Sequence, residues 1–191
     1  MSLAIPPTNR ADDIGPHPCF ELSQAECDRI VALSENDTSH KIKHWEPEGN
    51  VIEFPPKHPD QWLIHEDEVW LDFLILRAAI AANMLFRFQI TGLFERPLLS
   101  HYRSPYDGFD WKVNTGRGDE STRKITVFIP LTNQNDYDGG DICFHEYGEI
   151  SCRLEKGMCL AYPAYTSNRM KAITKGDCWA LTAHIAGEPF K

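Results

Sequence analysis

The feature that most limits the fold of this chain is its C-terminal half, where short apolar segments alternate with turn residues. Segments that alternate or are rich in β-branched residues predict strands at 86–90, 123–131, 158–162 and 180–185. Residues typical of turns separate them, at 135–140, 156–157 and 175–177. Many short strands behind a helical N-terminal half are typical of an antiparallel barrel or jelly roll backed by helices. The sequence therefore predicts a mainly β fold.

The N-terminal half predicts the helices that would back this barrel. Ser23 and Glu26 have the spacing of a capping box, in which each side chain satisfies a free amide of the other residue's backbone. A second helix is predicted over 67–82, where apolar positions cover more than one stripe, as in a helix packed against a sheet. The first helix would bury Cys27, Ile30, Val31 and Leu33.

The chain is predicted to form a single domain. Its 191 residues are enough to bury a core. Residues 1–95 are expected to form a helical support region with an extended lead-in and loops, and residues 96–191 the β core. The polar, proline-containing region 35–60 predicts loops with one short strand at 50–54.

Composition and charge argue against several partners and locations. The formal net charge is -9, whereas nucleic acids and anionic membranes need a basic surface. The apolar run 69–86 contains Asp72 and Arg77 and is shorter than about 20 uninterrupted apolar residues, so it predicts a buried helix rather than a membrane span. Residues 1–10 lack the pattern of a secretory signal, and the six cysteines show no CxxC pair or zinc spacing. These observations predict reduced thiols in a cytoplasmic protein.

Six short motifs follow one another in the C-terminal half. They are Tyr102, Phe109-Asp110-Trp111-Lys112-Val113-Asn114, Arg123-Lys124-Ile125-Thr126, Tyr137-Asp138-Gly139-Gly140-Asp141, Tyr162-Pro163-Ala164-Tyr165 and Thr174-Lys175-Gly176-Asp177. Their order and spacing resemble the catalytic half of the iron(II)- and 2-oxoglutarate-dependent dioxygenases, in particular the prolyl-4-hydroxylase-like, PKHD-type branch. The resemblance implies a double-stranded β-helix, a jelly-roll or cupin-like barrel, over residues 96–191. It also implies a family that uses Fe(II) and 2-oxoglutarate.

The residues that would bind the metal in that family are replaced in this sequence. The resemblance places Lys112 and Asn114 at an early His-x-Asp pair and Asn168 at the distal His. An ammonium has no lone pair to donate to a cation, and an Asn carbonyl is a weak, neutral ligand. Cys178 stands where the resemblance implies an Arg that pairs with 2-oxoglutarate, although the cosubstrate-contacting tyrosine is retained as Tyr102. We therefore predict no metal and no cofactor, and a ligand pocket lined by these five residues.

Two arrangements of Lys112 are consistent with the sequence. Lys112 and Asn114 are two residues apart, so strand alternation predicts that both side chains point inward. In one arrangement the Lys112 ammonium replaces the charge of the iron, and the amide oxygens of Asn114 and Asn168 accept its hydrogen bonds. In the other, Lys112 extends to solvent and the cavity has collapsed.

Other candidate metal ligands have simpler interpretations. His-x-Asp also occurs at His58-Pro59-Asp60 and His65-Glu66-Asp67, both before the predicted barrel strands. The second lies at a predicted helix start, where acidic residues interact favourably with the helix dipole. No metal role is expected at either. His184 is expected to pack or to form a local hydrogen bond, and Arg123 to face the surface.

Three functions remain open from the sequence. The first is a pseudo-oxygenase that binds a small carboxylate or a protein partner without iron-dependent oxidation. The second is a metal-independent enzyme in which a desolvated Lys112 acts as a general base or forms a Schiff base. The third is an active oxygenase with unusual ligands. Substrate identity and oligomeric state do not follow from the sequence.

Overall fold

The computed structural model describes residues 15–35, 39–42, 59–145 and 148–189. The strand predicted at 50–54 and the side chain of His58 lie outside these residues. The described residues contain two α-helices, α1 (Gln24–Ala32) and α2 (Val69–Phe86). Their strands are β1 (His17–Glu21), β2 (Ser39–Lys41), β3 (Asp60–Ile64), β4 (Ile90–Leu93), β5 (Leu98–Arg103), β6 (Phe109–Lys112), β7 (Arg123–Pro130), β8 (Asp138–Gly139), β9 (Ile142–His145), β10 (Glu149–Cys152), β11 (Met158–Pro163), β12 (Asn168–Met170), β13 (Ile173–Lys175) and β14 (Asp177–Gly187).

The strands form two main antiparallel sheets. The larger sheet has the order β1-β11-β7-β14-β5-β3-β2, with β4 also paired to β14. The smaller sheet has the order β10-β9-β12-β6, and β8 pairs with β13. The predicted mainly β, jelly-roll fold backed by helices is confirmed.

Strand alternation divides the core into two parts. Ile125, Val127 and Leu181 of the larger sheet pack in a cluster that includes the buried side chains of α1 and α2. Residues at the alternate positions of these strands, such as Phe128 and Cys178, point to the other side of the sheet and pack in a second cluster inside the barrel. A side chain on β7 or β14 therefore faces either the helices or the barrel interior.

The first helix begins as the sequence predicts. The Ser23 Oγ accepts a hydrogen bond from the backbone N–H of Glu26 at 3.3 Å, and the Ser23 N–H donates to Glu26 Oε2 at 2.7 Å. Cys27, Ile30 and Leu33 are buried. The capping box therefore fixes the start of α1 and orients its apolar side towards the sheet.

The strand predicted at 86–90 is wrong, because α2 extends to Phe86 and β4 begins only at Ile90. Asn83 closes the helix: its Nδ2 donates to the Phe88 carbonyl at 2.9 Å, and its Oδ1 accepts from the Phe88 N–H at 2.8 Å. Arg87 between them adopts the left-handed conformation, with φ 57°. Side-chain hydrogen bonding thus decides a boundary that apolar alternation places incorrectly.

The prediction that α2 is buried holds for one face only. Seven of its residues, from Leu71 to Phe86, are buried against the sheet. Phe73, Ile80 and Met84 are 70%, 58% and 76% exposed. By length and composition alone α2 is apolar enough to cross a membrane. Its packing on the sheet is that of a core helix with one uncovered side.

Candidate functional site

Two of the predicted site residues are cross-strand partners at one end of the barrel. Asn168 on β12 pairs with Lys112 on β6 in antiparallel register. Asn168 is fully buried, and its Nδ2 donates to the carbonyl oxygens of Lys112 at 3.2 Å and Thr166 at 3.1 Å. The Asn168 amide is therefore bound to the backbone on both sides of the β6–β12 pair.

Asn114 points inward, as strand alternation predicts, although β6 ends before it. Its Nδ2 donates to Thr126 Oγ1 and to the Tyr162 hydroxyl, each at 3.1 Å. Its backbone N–H donates to the Ala164 carbonyl at 2.8 Å. Burial raises the pKa of Tyr162, so its hydroxyl stays protonated. Asn114 thus joins β7 and β11 at the barrel mouth, which we define as the end of the barrel where Lys112 and Asn114 lie.

Lys112 adopts the second of the two arrangements considered. Its side chain is exposed, and its Nζ lies 4.2 Å from the centroid of the Phe109 ring. Neither Asn114 nor Asn168 accepts a hydrogen bond from it, and no carboxylate among the described residues pairs with it. Partial desolvation, followed by the nearby Arg123 guanidinium, lowers the pKa of Lys112. The ammonium therefore lies at the mouth and does not replace an ion inside the barrel.

Arg123, expected at the surface, belongs to the barrel mouth instead. Its side chain is only 18% exposed and forms a bidentate pair with Glu95, with both N···O distances 2.5 Å. It also contacts Glu120 at 3.2 Å and donates to the Asn114 carbonyl at 3.0 Å. These hydrogen bonds hold the pKa of Glu95 below its usual value. Glu95 is 28 positions from Arg123, and no spacing in the sequence indicates their contact.

His184 lies in the same polar group and forms the local hydrogen bond expected of it. Its Nδ1 is 3.2 Å from Thr126 Oγ1, which also accepts from Asn114. Burial, and then the positive charge of Arg123, lowers the pKa of His184 to about 4. The imidazole is therefore neutral near pH 7.

The barrel mouth contains two cations. Arg123 pairs with Glu95, whereas Lys112 has no carboxylate partner among the described residues.

The other two predicted site residues face each other deeper in the barrel. Cys178 on β14 and Tyr102 on β5 are cross-strand partners, and both are buried. Burial raises the pKa of Cys178 to about 12 and keeps that of Tyr102 above its ordinary value, so both side chains are neutral. The cavity beside Cys178 leaves about 10 Å³ for the centre of a water molecule, which is room for roughly one water. Phe128, Tyr137 and Met170 line this cavity together with the side chain of Arg153.

These residues do not fit iron(II) or 2-oxoglutarate. The three positions at the mouth supply one ammonium and two amides whose nitrogens donate to protein oxygens, and they supply no imidazole or carboxylate. No group of three His, Cys, Asp or Glu side chains suited to a metal occurs in the part of the chain that the structure describes. His65 and Asp67 form an exposed pair at 3.1 Å. Beside Cys178 the thiol is neutral, and the guanidinium that lines the same cavity, that of Arg153, donates to the carbonyl oxygens of Gln134 and Tyr137 and pairs with Asp141 at 3.3 Å.

Comparison with known proteins relates part of the sequence to hydroxylases. A 70-residue segment is 33% identical to a PKHD-type hydroxylase of Paracoccus denitrificans, covering 36% of this chain and 31% of that protein. A 62-residue segment is 34% identical to a PKHD-type hydroxylase of a Psychrobacter species, covering 32% of this chain and 23% of that protein. The matched segments thus span less than a third of either relative. No protein-family model matches the chain.

Solved structures share the fold over nearly the whole chain. An oxidoreductase of the 2OG-Fe(II) oxygenase family from Burkholderia pseudomallei has a TM-score of 0.63 at 13% identity, covering 94% of this chain and 90% of its own. A collagen prolyl hydroxylase from Paramecium Bursaria Chlorella virus-1 has a TM-score of 0.64 at 15% identity, covering 91% and 95%. The chain therefore has the jelly-roll fold of these oxygenases, and the resemblance stated from the sequence is confirmed for the fold.

Proposed function

We propose that this chain, which has the fold of the 2-oxoglutarate-dependent oxygenases, binds a carboxylate at its barrel mouth and performs no iron-dependent oxidation. The observation that carries the proposal is the internal hydrogen bonding of Asn114 and Asn168, which joins the β-strands at the positions where the family resemblance implies metal ligands. The filled interior around Cys178 supports it, since a dicarboxylate needs far more space than one water. A fold alone does not supply a function, so the side chains decide.

The chemistry of the barrel mouth supports the proposal that a carboxylate binds there. Lys112 is a cation without a carboxylate partner in the described residues, and Val113, the next residue in the chain, is apolar and exposed. An ammonium beside exposed apolar surface suits an anion with a hydrocarbon part, whether a small molecule or a peptide side chain. We infer that such an anion binds outside the barrel, next to Lys112.

Metal content is the direct test of the proposal. Protein purified without chelator is expected to contain no stoichiometric transition metal, and anaerobic Fe(II) with 2-oxoglutarate is expected to give no charge-transfer band. The combined variant Lys112→His, Asn114→Asp, Asn168→His is expected to bind Mn(II) or Fe(II) measurably by calorimetry. Stoichiometric iron in the wild-type protein would refute the proposal. A folded triple variant that stays metal-free at saturating Fe(II) would show that these are not the metal positions.

A second candidate function follows from the chemistry of Lys112. Its lowered pKa makes the neutral amine more abundant than that of an ordinary surface lysine. A neutral amine can attack a carbonyl carbon and, with loss of water, form a Schiff base. Borohydride reduction with a small 2-keto acid is then expected to label Lys112 before exposed Lys175, and Lys112→Arg is expected to remove that label. Equal labelling of both lysines would exclude this function.

A further inference from the structure

The outward side of α2 is an apolar stripe that nothing in the described residues covers. Val69, Phe73, Ile80 and Met84 are 51%, 70%, 58% and 76% exposed. Their spacing of four, seven and four residues places them on one face of the helix, along roughly 23 Å. We call this face the α2 stripe. The largest apolar patches on soluble proteins often have a function.

The area of the α2 stripe is close to what a symmetric dimer needs. A large apolar side chain presents on the order of 150–250 Å² when fully exposed. At the observed exposures, the four residues present about 450 Å² per chain. Two copies would bury roughly 900 Å² from these side chains alone, which lies near the lower limit of about 1,000 Å² for a specific interface.

The residues of the α2 stripe are also arranged symmetrically. Val69 and Met84, like Phe73 and Ile80, are equally far from the midpoint between Leu76 and Arg77. Two antiparallel copies of α2 that cross at this midpoint therefore place Phe73 of each chain against Ile80 of the other. A twofold axis requires such self-complementary contacts.

Charge does not prevent this contact. Arg77 is the one ionisable residue on the exposed stripe, and its guanidinium lies 3.9 Å from the centroid of the Phe20 ring on β1. This contact draws the charge towards the sheet and away from the centre of the stripe. Interfaces are depleted of charge at their centres, and none of the four side chains of the α2 stripe is charged. The net charge of -9 disfavours an anionic membrane as the alternative partner.

We propose that a second copy of this chain covers the α2 stripe, so that the protein is a homodimer with antiparallel α2 helices on a twofold axis near Leu76 and Arg77. Sedimentation velocity from 1 to 100 µM is expected to show a dimer. Phe73→Glu is expected to shift the protein to monomer with an unchanged circular dichroism spectrum. Phe94→Glu is the matched control, because Phe94 is 74% exposed but lies outside α2, and this variant is expected to remain dimeric.

A charge-swap pair tests the antiparallel arrangement. Phe73→Lys and Ile80→Glu are each expected to give monomers, and the double variant is expected to recover the dimer because the two charges meet across the axis twice. A wild-type monomer at 100 µM, or a Phe73→Glu dimer, would overturn the proposal. Dimerisation that appears only after deletion of residues 1–14 would assign the stripe to that segment instead. Failure of the double variant to dimerise would rule out the antiparallel arrangement.

Discussion

At the scale of single residues, His184 makes the stability of the barrel sensitive to pH. Its pKa is lowered to about 4, against about 6.5 in an unfolded chain. The unfolded chain therefore takes up a proton at higher pH than the folded one, and stability falls as the pH drops from about 6.5 to about 4. Between pH 7.5 and pH 5 this group alone is expected to remove about 2 kcal/mol from the free energy of unfolding.

The variant His184→Gln isolates this contribution, because Gln can still hydrogen-bond to Thr126 but does not titrate. Urea unfolding at pH 7.5 and pH 5 should show a smaller loss of stability in the variant by about the same 2 kcal/mol. His101, whose pKa burial also lowers, is present in both proteins and cancels in the comparison. Identical pH dependence in the two proteins would mean that His184 is not desolvated.

Cys178 tests whether the barrel interior has space for a charge. Cys178→Arg restores the residue that the family resemblance implies, but it places a cation against Tyr102 and Phe128 with room for only one water. An unpaired buried charge of this kind is expected to lower the free energy of unfolding by about 3–5 kcal/mol. The control Cys178→Ala removes one sulfur atom and is expected to lower it by about 1 kcal/mol.

The effect of 2-oxoglutarate on the stability of Cys178→Arg distinguishes a filled barrel interior from an open one. The urea midpoint of Cys178→Arg is expected to stay unchanged in 10 mM 2-oxoglutarate, because the anion cannot reach the new cation. A midpoint that rises with 2-oxoglutarate would contradict the filled interior, since a ligand stabilises only the state that binds it.

At the scale of secondary-structure elements, the end of α2 contains stored backbone strain. Arg87 has φ 57°, a conformation that a residue with a Cβ adopts at a cost of about 1 kcal/mol. Arg87→Gly is therefore expected to stabilise the protein by about 0.5–1 kcal/mol in urea unfolding. Arg87→Ala removes the same charge but retains the Cβ, so it should give no gain. Equal gains from both variants would attribute the effect to the charge.

The two ends of the helices show which boundaries a sequence can predict. The start of α1 is predictable because Ser23 and Glu26 are three residues apart and the side chain of each bonds to the backbone N–H of the other. The end of α2 is not, because Asn83 and Phe88 form the closing hydrogen bonds while the residues from Phe86 onward alternate as a strand would. Hydrogen bonds between residue types that prefer helix starts, three positions apart, can be recognised in a sequence. Hydrogen bonds within a segment whose apolar residues alternate as in a strand cannot.

At the scale of the whole molecule, strand and turn spacing predicts the jelly roll but not the contents of its interior. The turn at Gly139 and Gly140 is predictable because both residues have positive φ, which glycine adopts without strain. The packing of Tyr102, Phe128 and Cys178 into one cluster depends on residues from three distant strands. The Arg123–Glu95 pair likewise joins a strand to a distant loop. Such long-range contacts require the register of the sheets, which no single motif contains.

Because the core depends on such long-range contacts, the helical region 1–95 and the β core 96–191 are expected to fold only together. Four strands of the larger sheet, β1 to β4, and both helices precede residue 96. Without them, the face of the sheet that carries Ile125, Val127 and Leu181 would be exposed to water. Residues 96–191 alone are therefore expected to aggregate or to bind a hydrophobic dye without a cooperative melting transition. Mixing with residues 1–95 is expected to restore the transition, and a cooperative transition of 96–191 by itself would show that the barrel is independent of its helices.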